Sequence, residues 1–181
     1  MRKILTALMI LAAAPAAATG LKIGIAGQAE GMVTIDLFED VAPKHVARIT
    51  RLAREGAYDG VVFHRVIEGF MAQTGDVRFG RAGGDLSRAG QGGADLPDVR
   101  AEFSDIPFTR GVVGMARGRD PDSANSQFFI MFADAPHLNG KYTVVGEVTG
   151  GMAVVDRIRR GSGRSGRVAE PDVMVDVTVT E

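Results

Sequence analysis

Residues 63–76 read Phe-His-Arg-Val-Ile-Glu-Gly-Phe-Met-Ala-Gln-Thr-Gly-Asp, which is the pattern of a β-hairpin whose turn lies near its middle. Side chains alternate between the two faces of a strand, so Phe63 and Arg65 are expected on one face. Met71 and Gln73 should likewise share one face of the partner strand. If those faces coincide, a guanidinium lies among apolar side chains and needs acceptors to replace its hydration. The pattern alone favours a solvent-facing arginine, because charged side chains on half-exposed strands are common.

Strand-like alternation continues on both sides of this hairpin. Apolar residues recur at every second position in 33–37 and again in 173–179, and each segment predicts a strand with one buried face. Between them lie five further β-prone runs, at about 61–65, 70–73, 112–116, 128–131 and 143–148.

Two other segments have the spacing of helices. Apolar residues recur at three-residue steps from Val46 to Leu52, with Pro43 suited to the first turn and Gly56 to a C-terminal stop. A second, weaker helix is predicted at about 152–159. Several short strands, only two helices and no regular alternation of strand and helix together indicate a mainly-β fold, an antiparallel barrel or sandwich.

The length and composition fit one globular domain. The chain has 181 residues, of which 45% are hydrophobic and 24% charged, enough for a core of its own. A glycine-rich stretch from Arg78 to Arg110 lacks periodicity and is predicted to be a long loop, either functional or poorly ordered. Gly161 to Arg167 is a smaller cluster of Gly, Arg and Ser, for which a solvated loop is the simplest interpretation. We expect a single domain over residues 19–181.

The first 18 residues have the composition of a secretory signal peptide. A basic start at 1–3 precedes an apolar run from Ile4 to Ala14, and three alanines at 16–18 give the small-x-small pattern that signal peptidases cut after. Pro15 interrupts the run, which is shorter than the ~20 apolar residues of a membrane-spanning helix. We therefore expect cleavage, no stable membrane anchor, and export to the periplasm if the source is a two-membrane bacterium.

Composition also excludes several classes of function. The chain has no cysteine, so it has no disulfide, thiolate metal site or cysteine nucleophile. Its formal net charge of −1 becomes −3 without the two basic residues of the signal, which gives no electrostatic footprint for nucleic acid. His45, His64 and His137 lack the spacing of a known metal motif, so we expect no metal site.

Three more blocks follow the hairpin: Gly-Val-Val-Gly-Met-Ala-Arg at 111–117, Asn-Ser-Gln-Phe-Phe-Ile at 125–130 and Leu-Asn-Gly-Lys-Tyr-Thr-Val-Val-Gly at 138–146. Taken alone, they read as strands joined by turns. Together with the hairpin, in this order and at these separations, they closely resemble the cyclophilin family of peptidyl-prolyl cis-trans isomerases. The resemblance covers nearly the whole mature chain, about residues 21–181.

This resemblance implies both a fold and a site. Cyclophilins are closed eight-stranded antiparallel barrels capped by two α-helices, with the site on the outer surface. By motif position, Arg65 resembles the family's catalytic arginine and Gln73 the residue that helps to position it. The positions that resemble the substrate-binding surface are His64, Phe70, Met71, Ala116, Arg117, Gln127, Phe129, His137, Leu138 and Tyr142. Two of these, His137 and Tyr142, depart from the tryptophan and histidine found in many members.

The resemblance further implies an enzyme that speeds cis/trans isomerisation of X-Pro bonds. No cofactor is expected, because rotation about the peptide bond breaks no covalent bond. Its partners would be proline-containing polypeptides, here exported proteins as they fold, and we expect a monomer. Two other functions remain open: a non-catalytic module that holds proline-containing segments, and a hydrolase that uses His64 with a serine such as Ser126.

Overall fold

The computed structural model describes residues 19–181, so the expected signal peptide lies outside the described residues. In this part of the chain, nine strands form one antiparallel sheet accompanied by two helices, which confirms the predicted mainly-β class. The strands are β1 (Gly20–Ala26), β2 (Gly31–Leu37), β3 (Val61–Val62), β4 (Arg65–Ile67), β5 (Met71–Thr74), β6 (Val112–Met115), β7 (Phe128–Met131), β8 (Val144–Gly150) and β9 (Val173–Thr180). The helices are α1 (Pro43–Arg54) and α2 (Met152–Val155).

The sheet curls into a barrel-like shape with the strand order β3-β9-β1-β2-β8-β6-β7-β5-β4. It has nine strands rather than eight because the strand predicted at 61–65 is interrupted at Phe63 and His64. The first half of this predicted strand, β3, pairs with β9, and the second half, β4, pairs with β5. The two edge strands of the sheet are therefore consecutive in the chain. The interruption also makes the expected shared face of Phe63 and Arg65 wrong, since Phe63 is fully buried in the main core.

Alternation along the strands separates two hydrophobic clusters. In β7, Phe128 and Ile130 belong to the main core, whereas Phe129 and Met131 belong to a second, smaller cluster. The members of this second cluster are Met71, Phe108, Val112, Phe129, Met131, Ala135, Leu138 and Val144. Full burial of one large apolar side chain stabilises a fold by about 1.5–3 kcal/mol, so both clusters contribute substantially. The second cluster forms the base of the candidate site.

The two helices differ in how well the sequence predicted them. Helix α1 begins at Pro43 as expected, and Gly56 follows its end with a φ of +65°. Helix α2 spans only residues 152–155, not 152–159. The amides of Arg157 and Ile158 donate to carbonyls three residues back, and the amide of Arg159 donates to the carboxylate of Asp172, so the α-helical ladder does not continue. Within residues 19–181, neither helix is long and apolar enough to cross a membrane.

A carboxylate distant in sequence caps the start of α1. Glu102 accepts hydrogen bonds from the amides of Lys44 and His45, and its Oε2 lies 2.7 Å from Nδ1 of His45. The His45 side chain is fully buried, and its Nε2 has no hydrogen-bond partner among the described residues. Burial lowers the pKa of His45 more than the neighbouring Glu102 raises it. The ring is therefore neutral in the folded protein at neutral pH.

This buried histidine should make the protein less stable in mild acid. The pKa of His45 is lower in the folded than in the unfolded state, so below pH 6.5 the unfolded chain takes up a proton first. The stability contribution is thus present above pH 6.5 and lost below it, by at most about 1.4 kcal/mol per pH unit. Denaturant unfolding at pH 7 and pH 5 should show a smaller loss for His45→Gln than for wild type. A loss of stability that His45→Gln leaves unchanged would contradict this assignment.

Candidate active site

A cleft of about 180 Å³ lies on the outer face of the sheet, above the second hydrophobic cluster. Strands β4 and β5 form one wall, Phe129 near the start of β7 forms the base, and the segments after β6 and before β8 form the other wall. Its lining residues are Arg65, Phe70, Met71, Gln73, Ala116, Arg117, Phe129, Leu138 and Tyr142. The cleft therefore combines apolar side chains with two arginines and one amide.

Aromatic packing supports the base of the cleft. Phe129 stacks on Phe108 with ring centroids 5.8 Å apart, and it meets Tyr142 edge-on at 5.9 Å. This stack needs a residue without a side chain at position 114, because a Cβ on Gly114 would lie 2.6 Å from both phenylalanine rings. Gly114 lies on β6 beside Phe129 in the strand ladder. The sequence thus forms a rigid, apolar base for the cleft.

Arg65 is half-buried on the β4 wall, directly opposite Gln73 in the β4–β5 ladder. Its Nη1 donates to Oε1 of Gln73 (3.1 Å) and lies 3.8 Å from the sulfur of Met71, while its Nε donates to the carbonyl of Ser165 (3.0 Å). In the described part of the chain these acceptors are all uncharged, and Nη2 has none. Burial lowers the pKa of Arg65, but an arginine still stays protonated. A positive charge with spare donors therefore lies beside an apolar cleft.

Arg117 joins the two segments of the opposite wall. Its Nη2 donates to the carbonyl of Lys141 (2.9 Å), and its guanidinium carbon lies 4.4 Å from the centre of the Tyr142 ring. A cation over an aromatic face typically contributes about 0.5–1 kcal/mol at an exposed site. Arg117 thus holds the Tyr142 ring in place at the edge of the cleft.

A larger, more polar pocket of about 390 Å³ adjoins the cleft and shares Gln73, Ala116 and Arg117 with it. Gln127 lines this pocket and links it to the cleft, because its Oε1 accepts a hydrogen bond from Nε2 of Gln73 (2.9 Å). The remaining lining comes mainly from the long loop and the 118–125 segment: Arg78, Gly90, Gln91, Gly92, Gly93, Ala94, Asp98, Gly118, Ser123 and Asn125.

Nine of the twelve residues that the sequence suggested line the cleft, and Gln127 lines the adjoining pocket. The other two lie nearby but line neither cavity. His137 is exposed and stacks on Phe70 with ring centroids 5.6 Å apart. His64 is buried, and neither ring nitrogen has a hydrogen-bond partner among the described residues. Burial lowers the pKa of His64, so its ring is neutral.

The structure adds two groups that the sequence did not suggest. The carbonyl of Ser165 binds Arg65 from 100 residues away, so the 161–167 segment is not simply a solvated loop. A backbone acceptor has no signature in a side-chain pattern. Asp76 ends the hairpin motif and is fully buried, with its carboxylate bound to amides of the long loop. An aspartate side chain that accepts from the amide two residues later is a known turn motif, but this motif gives no indication of burial.

A comparison with known families decides the identity of the chain. The family model described as cyclophilin type peptidyl-prolyl cis-trans isomerase/CLD matches residues 21–179. The chain belongs to the cyclophilin family. Its activity is accordingly cis-trans isomerisation of peptidyl-prolyl bonds.

Known cyclophilins resemble this chain in both sequence and structure. A probable peptidyl-prolyl cis-trans isomerase of Brucella suis is 59% identical over 153 residues, which cover 83% of this chain and 78% of that protein. An isomerase of Helicobacter pylori is 39% identical over 137 residues, covering 73% and 77%. A Cryptosporidium parvum cyclophilin, crystallised in the presence of the dipeptide Ala-Pro, aligns with a TM-score of 0.76 at 25% identity, over 90% of this chain and 99% of that one.

Proposed function

We propose that this cyclophilin isomerises X-Pro bonds of exported proteins as they fold. In this proposal Arg65 stabilises the twisted amide, and the apolar cleft holds the proline ring. One observation carries it: at the wall of an apolar cleft Arg65 has no carboxylate partner among residues 19–181, and its Nη2 donates to no acceptor there. An arginine elsewhere on a protein surface would be hydrated or paired with an acid.

The chemistry follows from the electronic structure of the peptide bond. Resonance between nitrogen and carbonyl underlies a rotation barrier of ~18–20 kcal/mol. In the twisted state that resonance is lost and the lone pair stays on the prolyl nitrogen, which then accepts a hydrogen bond. A donor from Arg65 binds this nitrogen more strongly in the twisted state than in the planar one, so it lowers the barrier. Gln73 and Ser165 hold the guanidinium in place.

The remaining side chains of the cleft fix the substrate while its bond rotates. Phe70, Met71, Phe129 and Leu138 offer apolar contacts to the proline ring. Ala116 and Arg117 follow the end of β6 at the cleft, where an extended substrate backbone can pair with them. His64, Gln127 and His137 would act around this contact area rather than at the rotating bond. Because the ring is held, the free carbonyl end can rotate relative to it. This rotation breaks no covalent bond and needs no cofactor.

The hydrolase alternative conflicts with the geometry of its two residues. The Ser126 hydroxyl is buried and donates to the carbonyl of Gly75 (2.7 Å). Neither nitrogen of His64 has a hydrogen-bond partner among the described residues, so no base lies ready to take a proton from Ser126. A serine-directed covalent reagent should therefore leave the protein unmodified.

Export is supported by the composition of residues 1–18. The test is to express the full chain in a two-membrane bacterium, fractionate the cells and determine the N-terminus of the protein recovered. The proposal predicts a periplasmic protein that begins at Thr19. Recovery with Met1 or Arg2 still present, from the cytoplasm or the membrane, would reject both the cleavage and the exported substrates.

Two assays test the proposed activity. Isomerisation of an Ala-Pro peptide, followed in the cold, takes tens to hundreds of seconds without a catalyst, so acceleration is readily measured. Refolding of an exported protein limited by a prolyl bond should also become faster. Peptide binding without acceleration in either assay would instead support the non-catalytic module that holds proline-containing segments.

Activity should change little between about pH 6 and pH 8. The two arginines of the cleft stay protonated over this range, and burial lowers the pKa of the nearby His64 so that its ring stays neutral. The measurement is kcat/KM for an Ala-Pro peptide across this range at constant ionic strength. A bell-shaped profile would show that a titrating group takes part and that Arg65 is not the sole electrostatic catalyst.

A further inference from the structure

The long loop after the hairpin is anchored by one buried carboxylate. Asp76 is fully buried, and its Oδ1 accepts hydrogen bonds from the amides of Arg78 (3.1 Å) and Phe79 (2.9 Å). Its Oδ2 accepts from the amides of Gly90 (2.7 Å) and Gly92 (2.9 Å). Four amide donors compensate for the lost hydration of a buried carboxylate. The two glycines thereby lie at a fixed position beside the polar pocket.

The carbonyls of the same two glycines accept hydrogen bonds from a side chain that links them to the cleft. Nε2 of Gln127 donates to the carbonyls of Gly90 (3.1 Å) and Gly92 (2.7 Å). Oε1 of Gln127 accepts from Gln73, and Oε1 of Gln73 accepts from Arg65. A continuous chain of hydrogen bonds therefore connects Asp76 to the guanidinium.

The guanidinium and the loop carbonyls fix the direction of the bonds between them. Arginine can only donate, so Gln73 must turn its oxygen toward Arg65 and its N–H groups toward Gln127. A backbone carbonyl can only accept, so Gln127 must turn its N–H groups toward Gly90 and Gly92 and its oxygen toward Gln73. Both requirements give the same orientation of the two glutamine side chains, and Asp76 fixes where the two carbonyls lie.

We propose that Asp76 is a positioning residue for Arg65. Its carboxylate holds Gly90 and Gly92, whose carbonyls orient Gln127 and, through it, Gln73. Gln73 then presents an acceptor, and not a donor, to the guanidinium. The inference rests on the catalytic role proposed for Arg65, and within the long loop it gives a positioning role to Gly90 and Gly92.

Asp76→Ala tests the proposal, with Asp85→Ala as its matched control. Asp85 lies in the same loop and binds the amide of Ser87, but it has no place in the chain. In folded mature protein, Asp76→Ala should lower kcat for an Ala-Pro peptide about 10-fold, with the peptide Kd changed less than 2-fold. By NMR, the side-chain amide protons of Gln73 and Gln127 should lose their protection from exchange. Asp85→Ala should leave both readouts unchanged.

A second variant tests the proposal even if Asp76→Ala does not fold. A Cβ on Gly92 would lie 2.4 Å from Oδ1 of Asp76, so Gly92→Ala moves the loop away while keeping the carboxylate. The same loss of kcat is expected. Gly84→Ala is the matched control, since its Cβ would approach no heavy atom closer than 3.3 Å.

A double variant separates positioning from simple loop anchoring. Gln127→Leu breaks the chain at its middle, so adding Asp76→Ala should cause no further loss of kcat. Three outcomes would overturn the inference. The losses of kcat in Gln127→Leu and Asp76→Ala could multiply in the double variant, or the loss could be confined to Kd. Folded Asp76→Ala or Gly92→Ala could also keep the wild-type kcat. If Arg65→Ala also keeps its activity, the proposed function fails as well. If Arg65→Ala alone loses activity, only the positioning role fails.

Discussion

Replacement of Arg65 by alanine should lower kcat/KM for an Ala-Pro peptide about 100-fold or more. That factor corresponds to about 2.7 kcal/mol of lost transition-state stabilisation. The reason is that Arg65 lines the cleft with a protonated guanidinium whose Nη2 has no acceptor among residues 19–181. Arg117, the other arginine of the cleft, uses all three of its side-chain nitrogens on backbone carbonyls. Arg65→Lys should lose most of the activity too, because a lysine cannot bind Gln73 and Ser165 while also presenting a further donor in a fixed plane.

The matched control is Arg51→Ala. Arg51 lies on α1, is paired with Glu55 on the surface and does not line the cleft. Peptide isomerisation in the cold should proceed at the wild-type rate with this variant. Equal activity of Arg65→Ala and Arg51→Ala, with both proteins folded by circular dichroism, would remove Arg65 from the mechanism.

Replacement of Asp172 by alanine should lower the free energy of unfolding by about 3–5 kcal/mol. The carboxylate is buried and accepts from the amides of Ala29 (3.0 Å) and Arg159, and the backbone carbonyl of Asp172 accepts from Phe63. Loss of the side chain leaves two buried donors without partners, at about 1–3 kcal/mol each, and opens a cavity. A typical domain is stable by only 5–15 kcal/mol, so much of its stability would be lost.

Denaturant unfolding at pH 7 gives this value directly, and thermal unfolding should show a midpoint about 10 °C lower. Asp176→Ala is the control, because Asp176 is exposed on β9, the strand that begins directly after Asp172. It should change the free energy of unfolding by less than about 0.5 kcal/mol. A similar small change for Asp172→Ala would show that solvent or a neighbouring group replaces its bonds.

Local pattern was sufficient to predict most strands and the first helix. Two-residue alternation gave β2 and β9, and three-residue spacing with Pro43 gave α1. The two errors have different causes. The predicted strand at 61–65 is split because its halves pair with β9 and β5. Helix α2 ends early because its last turn tightens to bonds between residues three apart, after which Asp172 binds the amide of Arg159.

The resemblance placed the side chains around the cleft better than pattern alone did. Alternation left open whether Arg65 and Gln73 share a face, and it favoured a solvent-facing arginine; the resemblance linked the two residues. In the structure they lie opposite each other in the β4–β5 ladder, and Arg65 is half-buried. What no sequence pattern could show are the groups that hold it. Ser165 acts through its carbonyl, and Asp76 acts through the backbone of Gly90 and Gly92, so their side-chain identities give no direct signal.

The central claim is that Arg65 speeds rotation of the bound prolyl bond rather than merely binding the peptide. NMR exchange spectroscopy of an Ala-Pro peptide at saturating concentration measures cis/trans interconversion on the enzyme, separately from affinity. The account predicts rapid interconversion on wild type, and interconversion at least about 100-fold slower on Arg65→Ala, with a similar peptide Kd. An unchanged interconversion rate on bound Arg65→Ala, with only weaker binding, would contradict it.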